Sequence, residues 1–201
     1  MEGVATISRP AGQGRLMNLI DDLNGRYHKI ALRVFMALVF AHLAEHIIQA
    51  IQIFAFNGAR PDSRGILGQW WPWLVKSEGL HYAYAIIMLV GLMLFRPGFT
   101  GKSRTWWNIA LGIQFWHHIE HVLLLGQAVV GANLFGKAVP TSVVQVVVSR
   151  VELHLLYNTL VLIPMVIAMV YHLWPPEKDR AEMTCTCAVK SRRGEPVHAH
   201  A

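Results

Sequence analysis

Apolar residues along this chain fall into four blocks separated by short polar stretches. The first runs from Ile30 to Phe56, the second from about Ser77 to Phe95, the third from about Thr105 to Val130 and the fourth from about Arg150 to Trp174. Each is about long enough to cross the ~30 Å hydrocarbon core of a bilayer at ~1.5 Å per helical residue. The residues between them are helix-ending ones: Asn57-Gly58 after the first block, Arg96-Pro97-Gly98 after the second, Gly131 and Pro140 after the third, Pro175-Pro176 after the fourth. The pattern predicts an all-α membrane protein, a bundle of four transmembrane helices. Pro164 predicts a kink in the last of them, Ser103 a cap for the third, and Trp70, Trp71 and Trp73 an aromatic belt at the membrane interface.

The polar positions that interrupt these blocks recur in order. Phe-x-His-x-x-Glu-His occurs as Phe40-x-His42-x-x-Glu45-His46 and again as Phe115-x-His117-x-x-Glu120-His121, 75 residues later. A Leu-His-x-x-Tyr pattern follows each, at Leu80-His81-x-x-Tyr84 and Leu153-His154-x-x-Tyr157, 73 residues apart. Residues of about 30–95 and 105–174 therefore read as a duplicated helical hairpin. Both hairpins begin and end on the same side, which makes the repeat parallel, with a pseudo-two-fold axis along the membrane normal.

Positions i, i+3 and i+4 share a helix face, so His42, Glu45 and His46 project together, as do His117, Glu120 and His121. His42 and His117 each follow the start of their block by 12 residues, about 18 Å of rise. His81 and His154 lie about four residues, roughly 6 Å, below the other end of theirs. In a ~30 Å core these depths differ by about one helical turn, which predicts one layer of six histidines and two glutamates.

Ionisable side chains inside a membrane are expensive and serve function by default. Imidazole with carboxylate is a donor set for first-row transition metals, so His42, Glu45, His46, His81, His117, Glu120, His121 and His154 are the candidate ligands. Two divalent ions, iron first and copper or zinc next, would over-compensate the two carboxylates and leave room for a bridging hydroxide or oxide. Glu45 and Glu120 are also the candidates to adjust charge or relay protons. His118 is turned by ~100° from His117. Tyr84, Tyr157, Gln49, Gln114 and Asn158 are candidates for a surrounding polar network. His28 and His172 read as interfacial residues whose loss is expected to be neutral. Cys185-Thr-Cys187 reads either as a soft-metal acquisition segment or as tail without such a role.

His42-x-x-x-His46 and His117-His118-x-x-His121 resemble the histidine boxes of integral-membrane di-iron enzymes, the desaturases and alkane hydroxylases. The resemblance covers two short stretches and implies iron, activation of O₂ and an apolar substrate. That family carries a third box, which has no counterpart here.

Composition sharpens the setting. The chain is 54% hydrophobic and 15% charged, with a net charge of +6. The basic residues are grouped: Arg9, Arg15, Arg26, Lys29 and Arg33 before or within the start of the first block, Arg96, Lys102 and Arg104 between the second and third, and Lys178, Arg180, Lys190, Arg192 and Arg193 in the tail. All three groups fall on one side, which the positive-inside rule assigns to the cytoplasm and which argues for anionic lipid rather than nucleic acid as partner. The expectation is an integral protein of a bacterial cytoplasmic membrane with both termini inside, a lead-in over residues 1–29, a four-helix domain over 30–174 and a disordered tail over 175–201. The two cysteines then stay reduced.

No nucleophile arrangement, phosphate loop or dinucleotide fingerprint is present. The leading reading is a non-haem, two-metal oxidoreductase acting on an apolar or small membrane-soluble substrate. Electrons would come from a donor protein or quinol, and the chain is expected alone or in a homo- or hetero-oligomer. Two alternatives stay open: an electron-transfer subunit holding haem b between facing histidines, and a carrier or sensor for a metal ion or proton.

Overall fold

The structure is a computed structural model that describes residues 11–188. All regular elements among them are helical: α1 (Ala11–Asn24), α2 (His28–Phe54), α3 (Leu67–Trp70), α4 (Trp73–Lys76), α5 (Glu78–Phe95), α6 (Gly101–Val130), α7 (Arg150–Leu173) and α8 (Glu177–Arg180). The four apolar blocks correspond to α2, α5, α6 and α7. Ser77 caps α5 by accepting from the Leu80 amide. Thr100 stands at the N-cap of α6, and Ser103, three residues on, closes the turn by accepting from the Thr100 amide and donating to its carbonyl. Pro164 lies inside α7, which runs on through it to Leu173.

Three helices are long and apolar enough to cross a membrane: α2, α5 with the turn that follows it, and α7. The fourth long helix, α6, is not among them. Its 30 residues span about 45 Å, but Asn108, Gln114, His117, His118, Glu120, His121 and Gln127 dilute its apolar character. α6 packs against α5 and α7, and α2 packs against α7 and α5. Large apolar side chains such as Val34, Ile51, Ile87, Met93, Phe115, Val122, Ile163 and Val170 face outward on all four.

The two ends of the chain are more ordered than the sequence suggests. Residues 11–24 form α1, which Asn24 pins to the α5–α6 turn by donating to Leu94 O and accepting from the Gly98 amide. After Trp174 the chain forms α8 and then packs back, with Asp179, Cys185 and Cys187 buried. The structure gives residues 177–188 a defined path where the sequence suggests a disordered tail. The Asp179 carboxylate meets the α6 N-terminus at the Lys102 amide, where a negative charge is favoured. Residues 1–10 and 189–201, with His198 and His200, lie outside the described residues.

Leu32, Phe35, Met36 and Val39 of α2, Met88, Leu92 and Phe95 of α5, Trp107 and Ala110 of α6, and Val161, Met165 and Ala168 of α7 form the apolar core. All lie in the half of the helices nearest the termini. The Trp107 indole donates to Leu92 O and its ring stacks on Phe99. At Gly91 α5 approaches α2 so closely that a Cβ there would overlap the Phe35 ring. Gly91→Ala should therefore lower stability by about 1–3 kcal/mol, the usual penalty of overpacking, read as a fall in the thermal midpoint in detergent.

Candidate metal centre

Beyond this apolar half the six predicted histidines come together. The His42 and His46 Nε2 atoms lie 3.1 Å apart, and those of His117 and His121 lie 3.2 Å apart. The i, i+4 spacing produces both contacts on α2 and α6. His154 of α7 stands between the pairs, with ring centroids 5.3 Å from His46, 5.8 Å from His117 and 5.4 Å from His121. His81 of α5 completes the set, 5.6 Å from His154 and 6.3 Å from His121.

The surroundings repeat as well. His81 Nδ1 bonds the Ser77 carbonyl at 2.9 Å, and His154 Nδ1 bonds the Arg150 carbonyl at 2.8 Å. A carbonyl only accepts, so each Nδ1 carries the proton and each Nε2 is left as a lone-pair donor. The Nε2 of His154 is buried with no partner. Tyr84 stacks on His42 at 3.7 Å, and Tyr157 packs on His117 at 4.4 Å. The environments are not identical: Gln49 Oε1 accepts from His46 Nδ1 at 2.8 Å, whereas the Nδ1 atoms of His117 and His121 have no partner. His118 points away and stacks on Tyr82. Gln114 donates to Ala85 O and Asn158 to His154 O, so neither reaches a ring nitrogen.

Glu45 and Glu120 do not take the place expected of them. The Glu45 carboxylate accepts from the amides of Ile66 and Leu67, and Gly65, with φ +74°, makes room for it. The Glu120 carboxylate accepts from the Ser142 hydroxyl at 3.0 Å and the Val144 amide at 2.9 Å. Each carboxylate directs its oxygens to loop donors rather than to a ring nitrogen, and the loops after α2 and α6 fold back far enough along the helices to meet it. Gln52 and Gln127 do the same one to two turns further on. Gln52 accepts from the Gly65 amide and donates to Gly65 O, while Gln127 accepts from Leu134 and Thr141 and donates to Thr141 O. They too are 75 residues apart. Extending the Phe-x-His-x-x-Glu-His comparison by six residues would have found them.

A cavity of about 780 Å³ leads from these loops to His46, His81 and His154. Arg60, Arg64, Lys76 and Arg150 also line it. Arg150 forms a bidentate ion pair with Glu78 at 2.5 and 2.6 Å, and Arg60 pairs with Glu152. The cavity thus reaches the layer from the loop side, and the apolar core lies on its other side.

Among the described residues, the donors that all converge within 4.8 Å of one another are a second set at the opposite end: His28, His172, Cys185 and Cys187. Both histidines lie at helix ends and are buried within the protein. Hydrogen bonding from Cys187 holds the Cys185 thiol below its usual range, and the same bond together with burial pushes Cys187 up. Lys29 and Arg33 act on Cys187 in the opposite, charge-stabilising sense.

No protein-family model matches the chain, and neither does any curated protein or any solved structure.

Proposed function

We propose that this chain is an integral-membrane metalloprotein in which His42, His46, His81, His117, His121 and His154 hold a pair of transition-metal ions, and that it works as a non-haem oxidoreductase. The observation that carries this is the pair of Nε2–Nε2 contacts at 3.1 and 3.2 Å. Two imidazoles on one ion, with metal–nitrogen bonds of ~2.0–2.1 Å, have their nitrogens about 3.0–3.4 Å apart. Each pair would supply two imidazole nitrogens to an ion, and His81 and His154, whose rings lie 5.3–6.3 Å from rings of the pairs, would be the further donors. Repetition of the carbonyl bonds, tyrosine contacts and loop anchors at matched positions supports a duplicated hairpin, and the outward apolar face of α6 supports a fourth span. The grouped basic residues support cytoplasmic termini.

The cavity favours a small substrate over a long lipid chain, which agrees with O₂ or another small molecule reaching the metals from the loop side. Metal ions there would polarise substrate or activate a bound water, with electrons from a quinol or protein donor. Each of the four motif histidines has another ring within 4.6 Å, which leaves no flat slot for haem. The apolar core beneath the layer disfavours a through-path for protons or ions. Purified protein should contain about two equivalents of metal attributable to this layer, iron first, with no Soret band. A sharp Soret band without non-haem metal would overturn this reading in favour of the haem subunit.

A further inference from the structure

The second donor set joins parts of the chain that are far apart. His28 opens α2 and His172 lies in the last turn of α7. Cys185 and Cys187 reach them because the segment after α8 is tied back: Thr100 Oγ1 donates to Asp179 O, and Thr184 Oγ1 donates to Asn24 O. Phe95 and Phe99 pack edge-on against His28, and Phe99 packs against His172. Gly98 is required here, since a Cβ would collide with the His28 ring.

The polar groups of this pocket are poorly satisfied from within. His28 is 0% exposed, and neither of its ring nitrogens has a hydrogen-bond partner; Nδ1 of His172 has none either. Buried polar atoms are almost always paired, and an unexplained orphan points to an absent water or ion. Both cysteines are free thiols. The Cys185 sulfur lies 3.4 Å from His172 Nε2, close to the ~3.5 Å sulfur–nitrogen edge of a tetrahedron with bonds of ~2.3 and ~2.05 Å. All four donors lie within 4.8 Å of one another, so closing on an ion needs shifts of about an ångström or less. Two neutral imidazoles and two thiolates with one divalent cation sum to zero charge, the condition under which burial is tolerable.

We propose that His28, His172, Cys185 and Cys187 form a closed four-coordinate site for one zinc-class divalent ion, which fastens the segment after α8 to α2 and α7. The set provides four protein ligands and no open position, the arrangement of structural rather than catalytic zinc. It stands apart from the histidine layer, separated from it by the apolar core, and does not depend on the function proposed for that layer.

The test uses the full-length protein in detergent, stripped by chelator under reducing conditions and reloaded with Co(II). Uptake should bring a near-ultraviolet thiolate-to-cobalt charge-transfer band, and one equivalent of Zn(II) should abolish it. Cys185→Ser/Cys187→Ser should lose that band and one equivalent of metal, whereas His46→Ala/His121→Ala should keep the band. In wild-type protein, chelation should speed trypsin cleavage within residues 177–188 at least several-fold, and Zn(II) should reverse this. Cobalt uptake by wild-type protein without the charge-transfer band would overturn the site. So would an unchanged metal content in the cysteine variant, or a Cys185–Cys187 disulfide found by mass spectrometry in freshly isolated protein.

Discussion

Replacing His46 or His121 by alanine should each lower the metal affinity of the histidine layer by at least about a hundredfold, and the double variant should be barely worse than either single. Altering a residue that merely orients a ligand already costs ten- to a hundredfold, and these two residues each lie within 3.2 Å of the partner nitrogen on the same helix. Groups that act as one unit are strongly non-additive when removed. The variants should still insert, because the apolar faces of α2 and α6 are untouched. Metal analysis of the purified variants, with the zinc-class site accounted for separately, reads the effect. If His46→Ala were silent while His121→Ala emptied the layer, the two hairpins would share architecture without sharing ligands.

Glu120→Ala should destabilise the protein by about 2–4 kcal/mol without emptying the layer. The carboxylate is buried and receives two charge-assisted hydrogen bonds from the loop that covers the site. Such bonds contribute about 1.5–3 kcal/mol each, and the Val144 amide would be left without its acceptor. Glu120→Gln keeps an acceptor oxygen and should lose about half as much. Glu45→Ala should lose less than Glu120→Ala, since Glu45 is only half-buried. A fall in thermal midpoint with unchanged metal content bears this out. Loss of metal in Glu120→Gln at near-normal stability would make Glu120 a ligand after all.

Much of this arrangement is legible in the amino-acid order because lipid makes each ionisable residue informative. His42, His46, His117 and His121 are readable as pairs because the α-helical period brings i and i+4 onto one face. His81 and His154 are readable because antiparallel crossing equalises depth. The hydrogen bonds of the glutamates are not readable for a related reason: periodicity fixes the face from which a side chain leaves, not whether it turns sideways to a ring or upward to a loop amide. Glu45 and Glu120 turn to the loops, whose conformation has no period to read. The span count falls short at α6 because the same residues that furnish the histidine layer lower its mean apolarity.

The cluster of His28, His172, Cys185 and Cys187 is hidden in the sequence for another reason. His28 and His172 each sit alone at a helix end, with no repeated partner, and Cys185 follows two prolines and a charged stretch. Only chain closure by Asn24, Thr100 and Asp179 brings them together, and that closure rests on single hydrogen bonds rather than on a pattern. Under the proposed site, His28→Ala and His172→Ala are expected to lose its metal rather than to be neutral.

The central claim is that imidazoles of the histidine layer hold metal. X-ray absorption at the metal edge of the Cys185→Ser/Cys187→Ser variant tests it most directly, since that variant retains all six histidines and no other thiol. The account predicts a nitrogen/oxygen shell at about 2.0–2.1 Å with the multiple-scattering signature of several imidazoles per ion. Metal at background level, or a first shell without imidazole, would contradict it.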